Sequence, residues 1–280
     1  MEIEKSKEFI NWKNEILSFS SLKSFSDSPD HFISYKKKAF EPTDAMIAGQ
    51  LVHALILEPD TVAERYVAYD GRRAGKVWEE FEAVAIHENK TVVKKGDFDA
   101  AQFTADNIRK NEYVQQMLDN MVAAEKSIEW TDDESGVKLR GFIDVLGKTW
   151  FTDFKSGNDT DPDKFVRNAN DQKLSLQTAL YFDGARANGY KVDEMFIVRF
   201  SMSPPYSVVI YQPTETFVQY GHAMKRRLLK KWNEWDGKPA GIEFHTGLKI
   251  QPLGIPRWAK PEPDMIVVDA INQNRGNHGK

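Results

Sequence analysis

The sequence predicts an α/β protein in which a central mixed β-sheet is flanked by helices, and three kinds of segment support this prediction. A strand-rich block runs from about residue 124 to 156, and two further apolar segments, MFIVRFSMS and SVVIYQ, follow later in the chain. Helical patterns occupy residues 42–60, 168–189 and 214–235, before, between and after these strands. Strands with helices on either side along the chain are typical of a layered α/β architecture.

The ends of several helices are marked by capping and breaking residues. Thr43 is a suitable N-cap for the helix in residues 42–60, and Pro59 ends it. Gly189 ends the helix that starts near residue 168. Residues 18–35 predict a short Ser-capped helix and then a proline-marked turn, and residues 60–118 predict a largely helical region.

Length and composition favour one folded domain. The 280 residues are 41% hydrophobic and 12% aromatic, which is enough for a sizeable core, and we find no repeat or low-complexity linker. We therefore expect a single domain over residues 1–280, with a core at about 20–236 and a loop-rich tail at 237–280 packed on it. The net charge of −4 argues against a generally basic nucleic-acid coat protein but allows a local basic groove.

The sequence also restricts where the protein works and which metals it binds. It has no apolar run long enough to span a bilayer, so we expect no membrane partner. The charged N-terminus lacks the apolar core of a signal peptide, which favours a cytoplasmic location. The sequence contains no cysteine, which excludes disulfides, thiolate zinc sites and an iron–sulfur cluster.

Two acids stand inside an apolar hairpin, GFIDVLGKTWFTDFKSG at residues 141–157. A two-residue Gly-Lys turn would pair Leu146 with Thr149. Asp144 and Asp153 would then be diagonal neighbours on one face, with β-carbons about 7 Å apart. Two carboxylates at that separation can reach one hard divalent cation, for which magnesium is the obvious choice.

Lys155 follows on the same face of the hairpin and can hold an attacking water or a substrate phosphate. The alternative is a solvated hairpin face on which Lys155 and Asp153 form a simple ion pair.

Asp144 and the Asp153-Phe154-Lys155 triplet match the acid…(D/E)-x-K signature of the PD-(D/E)XK nuclease superfamily. The chain also resembles exonuclease VIII-like (RecE-type) and RecB-type nucleases in the order of its other segments. These segments are GQLVHALILEP at 49–59, AEKSIEW at 124–130, QTALYFDGA at 177–185 and PRWA at 256–259. The resemblance covers about Ser20 to Trp258 and implies a restriction-endonuclease-like core.

The resemblance implies a metal site on the two central strands and the preceding helix. Its ligands would be the side chains of His53, Asp144 and Asp153 and the carbonyl of Phe154. The site would hold Mg²⁺ or Mn²⁺, with one or two ions, while Lys155 positions the water and offsets phosphate charge. An isolated histidine on an apolar helix is otherwise more often a core residue than a ligand.

Three more residues have roles implied by the resemblance. Glu125 would be an outer or second-metal ligand, with Glu129, four residues on and on the same face of the strand, as the alternative. Gln177 and Tyr181 share a helix face and would contact DNA or the catalytic lysine, although Tyr181 could instead pack in the core.

The basic residues give weaker indications. The pair Arg72 and Arg73 resembles a basic stretch of exonuclease VIII-like proteins and is the best candidate for gripping phosphates. Three features depart from the family pattern, and the first is Ser28-Pro29 in place of the Cys-Pro of iron–sulfur relatives. Ile143 replaces the Pro that names the superfamily, and Phe142 replaces an Arg, whose role would be absent or moved to Arg140.

The resemblance implies a metal-dependent exonuclease that hydrolyses linear double-stranded DNA from 5′ to 3′. Such an enzyme would process DNA ends for recombination in a bacterial or phage-infected cell. Its expected partners are duplex ends, a single-strand annealing recombinase and further copies of itself in a ring. The alternatives are a structure-specific or sequence-specific endonuclease on the same fold, a catalytically inactive DNA-binding protein, or an unrelated metal-binding hydrolase acting on small esters.

Overall fold

A computed structural model describes residues 7–39, 41–157 and 161–251 of the chain. The chain divides into two compact units, Met1–Thr246 and Gly247–Lys280. Only the first few residues of the second unit are described, so the predicted coil of the tail and the PRWA segment lie outside the described residues. The prediction of one domain with a packed tail stays a prediction.

The described residues contain two sheets. Strand bounds in chain order are β1 Leu17–Ser18, β2 Tyr66–Tyr69, β3 Thr91–Lys94, β4 Ala123–Thr131, β5 Lys138–Leu146, β6 Trp150–Ser156, β7 Glu194–Phe200 and β8 Val208–Tyr211. The larger sheet has the order β1-β5-β6-β7-β8, with β4 paired to β5, and it mixes parallel and antiparallel neighbours. Strands β2 and β3 form a separate parallel pair.

Helices flank the larger sheet, which confirms the predicted fold class. Their bounds are α1 Lys7–Asn14, α2 Phe19–Asp27, α3 Pro29–Lys37, α4 Asp44–Leu57, α5 Val62–Arg65, α6 Lys76–His87, α7 Lys95–Lys110, α8 Glu112–Asp119, α9 Pro162–Asp171, α10 Leu174–Ala187, α11 Glu215–Glu234 and α12 Glu243–Thr246. A single 3₁₀ turn, Pro59–Thr61, follows α4. Over the described ranges, the search for helices long and apolar enough to cross a bilayer finds none.

Two hydrophobic clusters cover the two faces of the larger sheet. Side chains of β7 alternate between them, since Ile197 belongs to one cluster and Val198 to the other. The first cluster includes Leu176 and Leu180 of α10, and the second includes Leu51 and other residues of α4. The sheet is therefore packed between the helix that carries Gln177 and Tyr181 and the helix that carries His53.

Strands β5 and β6 diverge soon after their turn. Their pairing consists of Leu146 with Phe151 and Val145 with Thr152, and it extends no further. Farther along the same edge of β5, β1 pairs with Leu139 and the residue after it. The stretch of β5 between these pairings has an unpaired edge, and Asp144 lies there.

The predicted register of this hairpin is wrong. Leu146 pairs with Phe151 rather than Thr149, so the connection has four residues and is closed by a 2.8 Å hydrogen bond from the Gly147 amide to the Trp150 carbonyl. A type II′ turn needs a positive φ at its glycine, which Gly147 does not have. The glycine instead makes room for the Trp150 ring, which a β-carbon at this position would overlap.

Local structure differs from the sequence prediction in three further places. The region 60–118 contains the strands β2 and β3 in addition to its helices. The helix predicted at 168–189 is two helices, separated at Lys173, whose φ of 57° is left-handed. Pro29 begins α3 rather than a turn, because Ser28 accepts a hydrogen bond from the His31 amide and caps a new helix.

We expect Gly221→Ala to destabilise the protein by about 1 to 3 kcal/mol, since a β-carbon there would overlap the Ser175 carbonyl where α11 crosses α10. Gly96→Ala is the matched control, because Gly96 lies in α7 with nothing near its missing β-carbon. That change should be neutral or stabilise by about 0.4 to 1 kcal/mol. Denaturant unfolding of both variants measures the difference, and equal stabilities would contradict the close helix contact.

Candidate active site

Helix α4 brings His53 to the unpaired edge of β5. The helix begins as predicted, with the Thr43 side chain accepting a hydrogen bond from the Met46 amide. One turn before His53, Gly49 lets the helix approach β6 closely, because its β-carbon would lie 3.2 Å from the Ser156 hydroxyl. This close approach places the imidazole beside the end of β6.

The backbone of Phe154 fixes the orientation of His53. Its carbonyl oxygen lies 3.1 Å from His53 Nε2, and a carbonyl can only accept, so Nε2 carries the proton. In the neutral ring the lone pair is then on Nδ1, which lies 3.7 Å from Asp144 Oδ2 and 3.9 Å from Glu125 Oε1. A histidine held through one nitrogen by a carbonyl is a common arrangement for a metal ligand.

Glu125 and Asp144 face one another across β4 and β5. The neighbouring pairs are Ala124 with Val145 and Lys126 with Ile143, which places Glu125 opposite Asp144. Glu125 itself has a φ of 46°, in the left-handed region that strains a residue with a side chain. Such strain is concentrated at functional sites.

The structure brings His53, Glu125 and Asp144 together. One possible ligand atom from each lies within 4.8 Å of the others. Asp153 is outside this cluster and has different partners. The ligand set expected from the sequence therefore divides between a cluster of three possible metal ligands and a neighbouring ion pair.

Asp144 is buried, with 8% of its surface exposed, and its Oδ2 accepts a 2.6 Å hydrogen bond from the Phe154 amide. Burial is the main cause that raises the pKa of Asp144, and the nearby Asp153 carboxylate acts in the same direction; with the opposing charges of His53 and Lys155, the pKa is raised to about 7. Burial alone would lower the pKa of His53, but Asp144 and Glu125 outweigh it and raise that pKa. In this pocket two carboxylates face one imidazole, so a positive charge is favourable there, either on the protonated imidazole or on a bound cation.

Asp153 is held by groups on its own strand and on α10. Lys155 Nζ lies 3.0 Å from Asp153 Oδ1 and 2.9 Å from Oδ2, and the Gln177 amide donates to Oδ1 at 3.0 Å. The second oxygen, Oδ2, is buried without a hydrogen bond and has only the ion pair with Lys155. An oxygen of this kind can accept a further ligand.

Gln177 and Tyr181 form one network with the acid and the lysine. The Gln177 amide also donates to the Tyr181 hydroxyl at 3.1 Å, so the expected helix-face pair exists in α10. Burial and the adjacent Asp153 carboxylate raise the pKa of Tyr181 to about 12, so its hydroxyl stays protonated. Burial opposes the charge on Lys155, but Asp153 and Asp144 outweigh that effect and raise the lysine pKa, so Lys155 stays cationic at neutral pH.

An open cleft of about 610 Å³ reaches His53, Glu125 and Asp144. It is lined by Met46, Gly49, Gln50, His53, Ala54, Glu58, Arg65, Glu125, Phe142, Asp144 and Ser156. Cavities of this size are typical of small-ligand and substrate sites.

The alternative glutamate and the predicted basic residues lie apart from this cluster or have other partners. Glu129 is exposed and pairs with Arg140 across the strands. Arg73 donates to Asp44 Oδ1 and to the Val92 carbonyl, both at 3.0 Å, which ties its loop to the start of α4 and to β3. Arg72 is exposed. The roles of Arg72, Arg73 and Arg140 in DNA binding stay predictions.

Two lysines near Lys155 were not identified from the sequence. Burial lowers the pKa of Lys23, and the charges of Lys173 and Lys155 act in the same direction while Asp27 opposes them. Lys173 also forms a 2.7 Å ion pair with Asp27 at the end of α2. No motif links these positions, because their proximity arises only when α2 packs against α10.

The mixed sheet between helices, with an acid on each of two adjacent strands and a lysine two residues after the second acid, defines a PD-(D/E)XK-type nuclease domain. More particularly, the model of the family described as a PDDEXK-like domain of unknown function (DUF3799) matches residues 18–237. The chain therefore belongs to this family, and its membership supports a nuclease.

Comparison with solved structures supports the same fold. A protein from Eubacterium rectale described as a candidate exonuclease is similar to 90% of this chain and 97% of its own, with 18% identity and a TM-score of 0.57. A second structure, SSO0001, matches over 74% of this chain and 84% of its own at 13% identity, but its TM-score of 0.28 carries no argument. No curated protein matches the sequence.

In metal-free protein, we expect Asp144→Asn to raise the free energy of unfolding by on the order of 1 to 4 kcal/mol at about pH 8. A carboxyl whose folded pKa is raised destabilises the fold progressively as pH rises from about 4 to about 7, and Asn lacks this charge. At pH 8 the Asn variant also loses the attraction between Asp144 and His53, which reduces the expected gain in stability. Near pH 4 the gain should vanish. Urea unfolding in chelator measures the effect.

Glu129→Gln serves as the control for Asp144→Asn, because Glu129 is exposed and should show no such pH dependence. Adding Mn²⁺ should stabilise the unmodified protein and not the Asn variant. An Asn variant that is less stable than the parent at both pH values would contradict the charge argument.

We expect Glu125→Gly to be more stable than Glu125→Gln by about 0.5 to 1 kcal/mol. Both changes remove the carboxylate, but only glycine adopts the positive φ of this position without strain. Thermal or denaturant unfolding compares the two variants. Equal stabilities, or a more stable Gln variant, would show that the backbone at Glu125 is unstrained.

Proposed function

We propose that the protein is a metal-dependent deoxyribonuclease, with the cleft beside Asp144 as its active site. The observation that carries this proposal is the convergence of His53, Glu125 and Asp144 next to the Asp153–Lys155 ion pair. The family supports nuclease chemistry, and the side chains supply the two parts that such chemistry requires: a cation site and a fixed positive charge.

The residues present fit a divalent cation. Two carboxylates converge with His53 Nδ1, the nitrogen that can coordinate a metal when the ring is neutral. Burial raises the pKa of Asp144, so a cation beside this carboxylate would favour its charged form. Carboxylates suit Mg²⁺ and Mn²⁺, and the imidazole ligand favours Mn²⁺ of the two. Asp153 Oδ2, buried and without a hydrogen bond, is available as a further ligand or as an acceptor for a bound water. We propose either one or two ions for this site.

A bound cation would supply Lewis-acid activation and would offset charge on the phosphate. The chain provides the rest. Lys155 stays protonated and presents its ammonium to the scissile phosphate or to the attacking water. Gln177 holds the Asp153 carboxylate, and Tyr181 holds Gln177, so the acid and the lysine keep their geometry while substrate enters.

The finer proposal is an exonuclease that digests linear duplex DNA from 5′ to 3′ for recombination or end processing. The resemblance to exonuclease VIII-like proteins supports it, and so does the description of the Eubacterium rectale structure. A single-strand annealing recombinase and a ring-shaped homo-oligomer are the partners that this proposal implies. An endonuclease on the same fold is the main alternative, and an inactive DNA-binding protein is the next.

Digestion of linear and covalently closed duplex DNA, with Mg²⁺, Mn²⁺ or chelator, tests these alternatives together. Metal-dependent loss of linear DNA alone supports the exonuclease, and end-labelled strands give its direction. Cleavage of closed circles would favour the endonuclease. Binding of duplex DNA without digestion would favour the inactive protein.

We expect Asp153→Asn and Lys155→Met each to reduce the rate of DNA cleavage at least about a hundredfold, because each removes a charge that acts on the transition state. Lys155→Met should still take up Mn²⁺ in calorimetry, whereas His53→Ala should bind it more weakly. Asp133→Asn is the control, since Asp133 is exposed in the β4–β5 turn. Full activity in both Asp153→Asn and Lys155→Met would refute the proposed site.

A further inference from the structure

Phe142 is an exposed aromatic side chain in the active-site cleft. Its surface is 53% exposed, and it lines the cleft together with Asp144 and His53. Met46, 44% exposed, lines the same cleft. The cleft thus presents apolar surface beside the cluster of possible metal ligands.

The position of Phe142 on β5 is one where a polar side chain is expected. Along this strand, the buried Leu139 and Gly141 alternate with the exposed Lys138, Arg140 and Phe142. On the exposed face, the first two side chains are charged and only the third, Phe142, is aromatic. Of the three, Phe142 is nearest along the strand to Asp144. Leaving apolar surface in water forgoes about 25 cal/mol for each Å². The ring is therefore not explained by packing in the core.

The described residues leave much of this ring exposed. Ser127, its partner across β4, is itself exposed and too short to shield an aromatic face. Among the ring contacts between described residues, none involves Phe142. Two residues of strand, about 6.6 Å, separate it from Asp144. A flat apolar surface at this distance from the cation site is within the reach of a single nucleotide.

We propose that Phe142 is a stacking platform for an unpaired nucleobase of the strand whose phosphate lies at the metal cluster. This inference rests on the proposed nuclease function and adds a substrate preference to it. Every base presents a π-face, so stacking on Phe142 is independent of sequence. The alternating exposure places Arg140 one step farther along the same face, where its charge can meet the next phosphate.

A base can lie on this ring only after it leaves the duplex stack. Unpairing costs a few kcal/mol in an intact duplex and much less at a frayed, mismatched or single-stranded end. The cleft therefore prefers DNA ends with unpaired terminal nucleotides over blunt, stable ends.

Fluorescence of an adenine analogue at the unpaired end of a short duplex tests the proposal directly. Stacking on an aromatic ring quenches this analogue, and Ca²⁺ in place of Mg²⁺ allows binding to be followed apart from cleavage. The proteins compared are the parent, Phe142→Leu, Phe142→Trp and, as a matched control, Tyr220→Leu, which removes an exposed ring on α11 outside the cleft. A second duplex carries an abasic site at the same position.

We expect Phe142→Leu to lose the quenching and to bind the unpaired end at least about fivefold more weakly, while Phe142→Trp and Tyr220→Leu behave like the parent. With the abasic duplex, which has no base to stack, Phe142→Leu should bind as tightly as the parent. An equal loss of affinity on both duplexes, or no loss of affinity on either, would overturn the proposal. Cleavage by the parent in Mg²⁺ is scored separately, so a failure of the nuclease function is distinguishable from a failure of stacking.

Discussion

The separation of β5 from β6 is the constraint on which the site depends. Once the two strands part beyond Val145 and Thr152, the backbone amide and carbonyl of Phe154 have no partner on β5. Buried backbone groups need hydrogen-bond partners. Here the Phe154 amide donates to the Asp144 carboxylate, and the Phe154 carbonyl accepts from the His53 ring. The same two contacts orient the acid and the imidazole toward each other. The pocket therefore lies where β5 and β6 are no longer paired.

Burial and backbone strain both act against the fold at this pocket. Burial makes the charged form of Asp144 unfavourable, and the nearby Asp153 carboxylate adds to this effect. Glu125, opposite Asp144 on β4, has a left-handed backbone conformation. Neither the burial of the Asp144 carboxylate nor the positive φ of Glu125 stabilises the fold. On the α10 side, by contrast, charge is balanced, since Lys155 neutralises Asp153 and Gln177 completes its hydrogen bonding. The site thus joins a cluster of two acids and a histidine to a charge-balanced, hydrogen-bonded pair on the α10 side.

Much of this arrangement could be predicted from the sequence. Capping and periodicity located α4 and α11, and the strand-rich block was correct. The family resemblance named His53, Glu125 and Asp144, which the structure brings together, while their roles stay predictions. Periodicity could not show that Trp150 would pack on Gly147 and lengthen the hairpin, nor that β2 and β3 would pair across a helix. It also could not show the approach of Lys23 to Lys155, since that requires the packing of separate helices.

The contacts of Phe154 show that a residue can serve the site without a polar side chain. Its amide donates to Asp144 and its carbonyl lies beside His53, and every amino acid except proline supplies both backbone groups. Its ring belongs to the second hydrophobic cluster and also lies 6.0 Å from the His53 ring, centroid to centroid. The residue between the acid and the lysine therefore fixes the histidine twice, through its carbonyl and through its ring, and a smaller side chain there would keep only the first of these contacts.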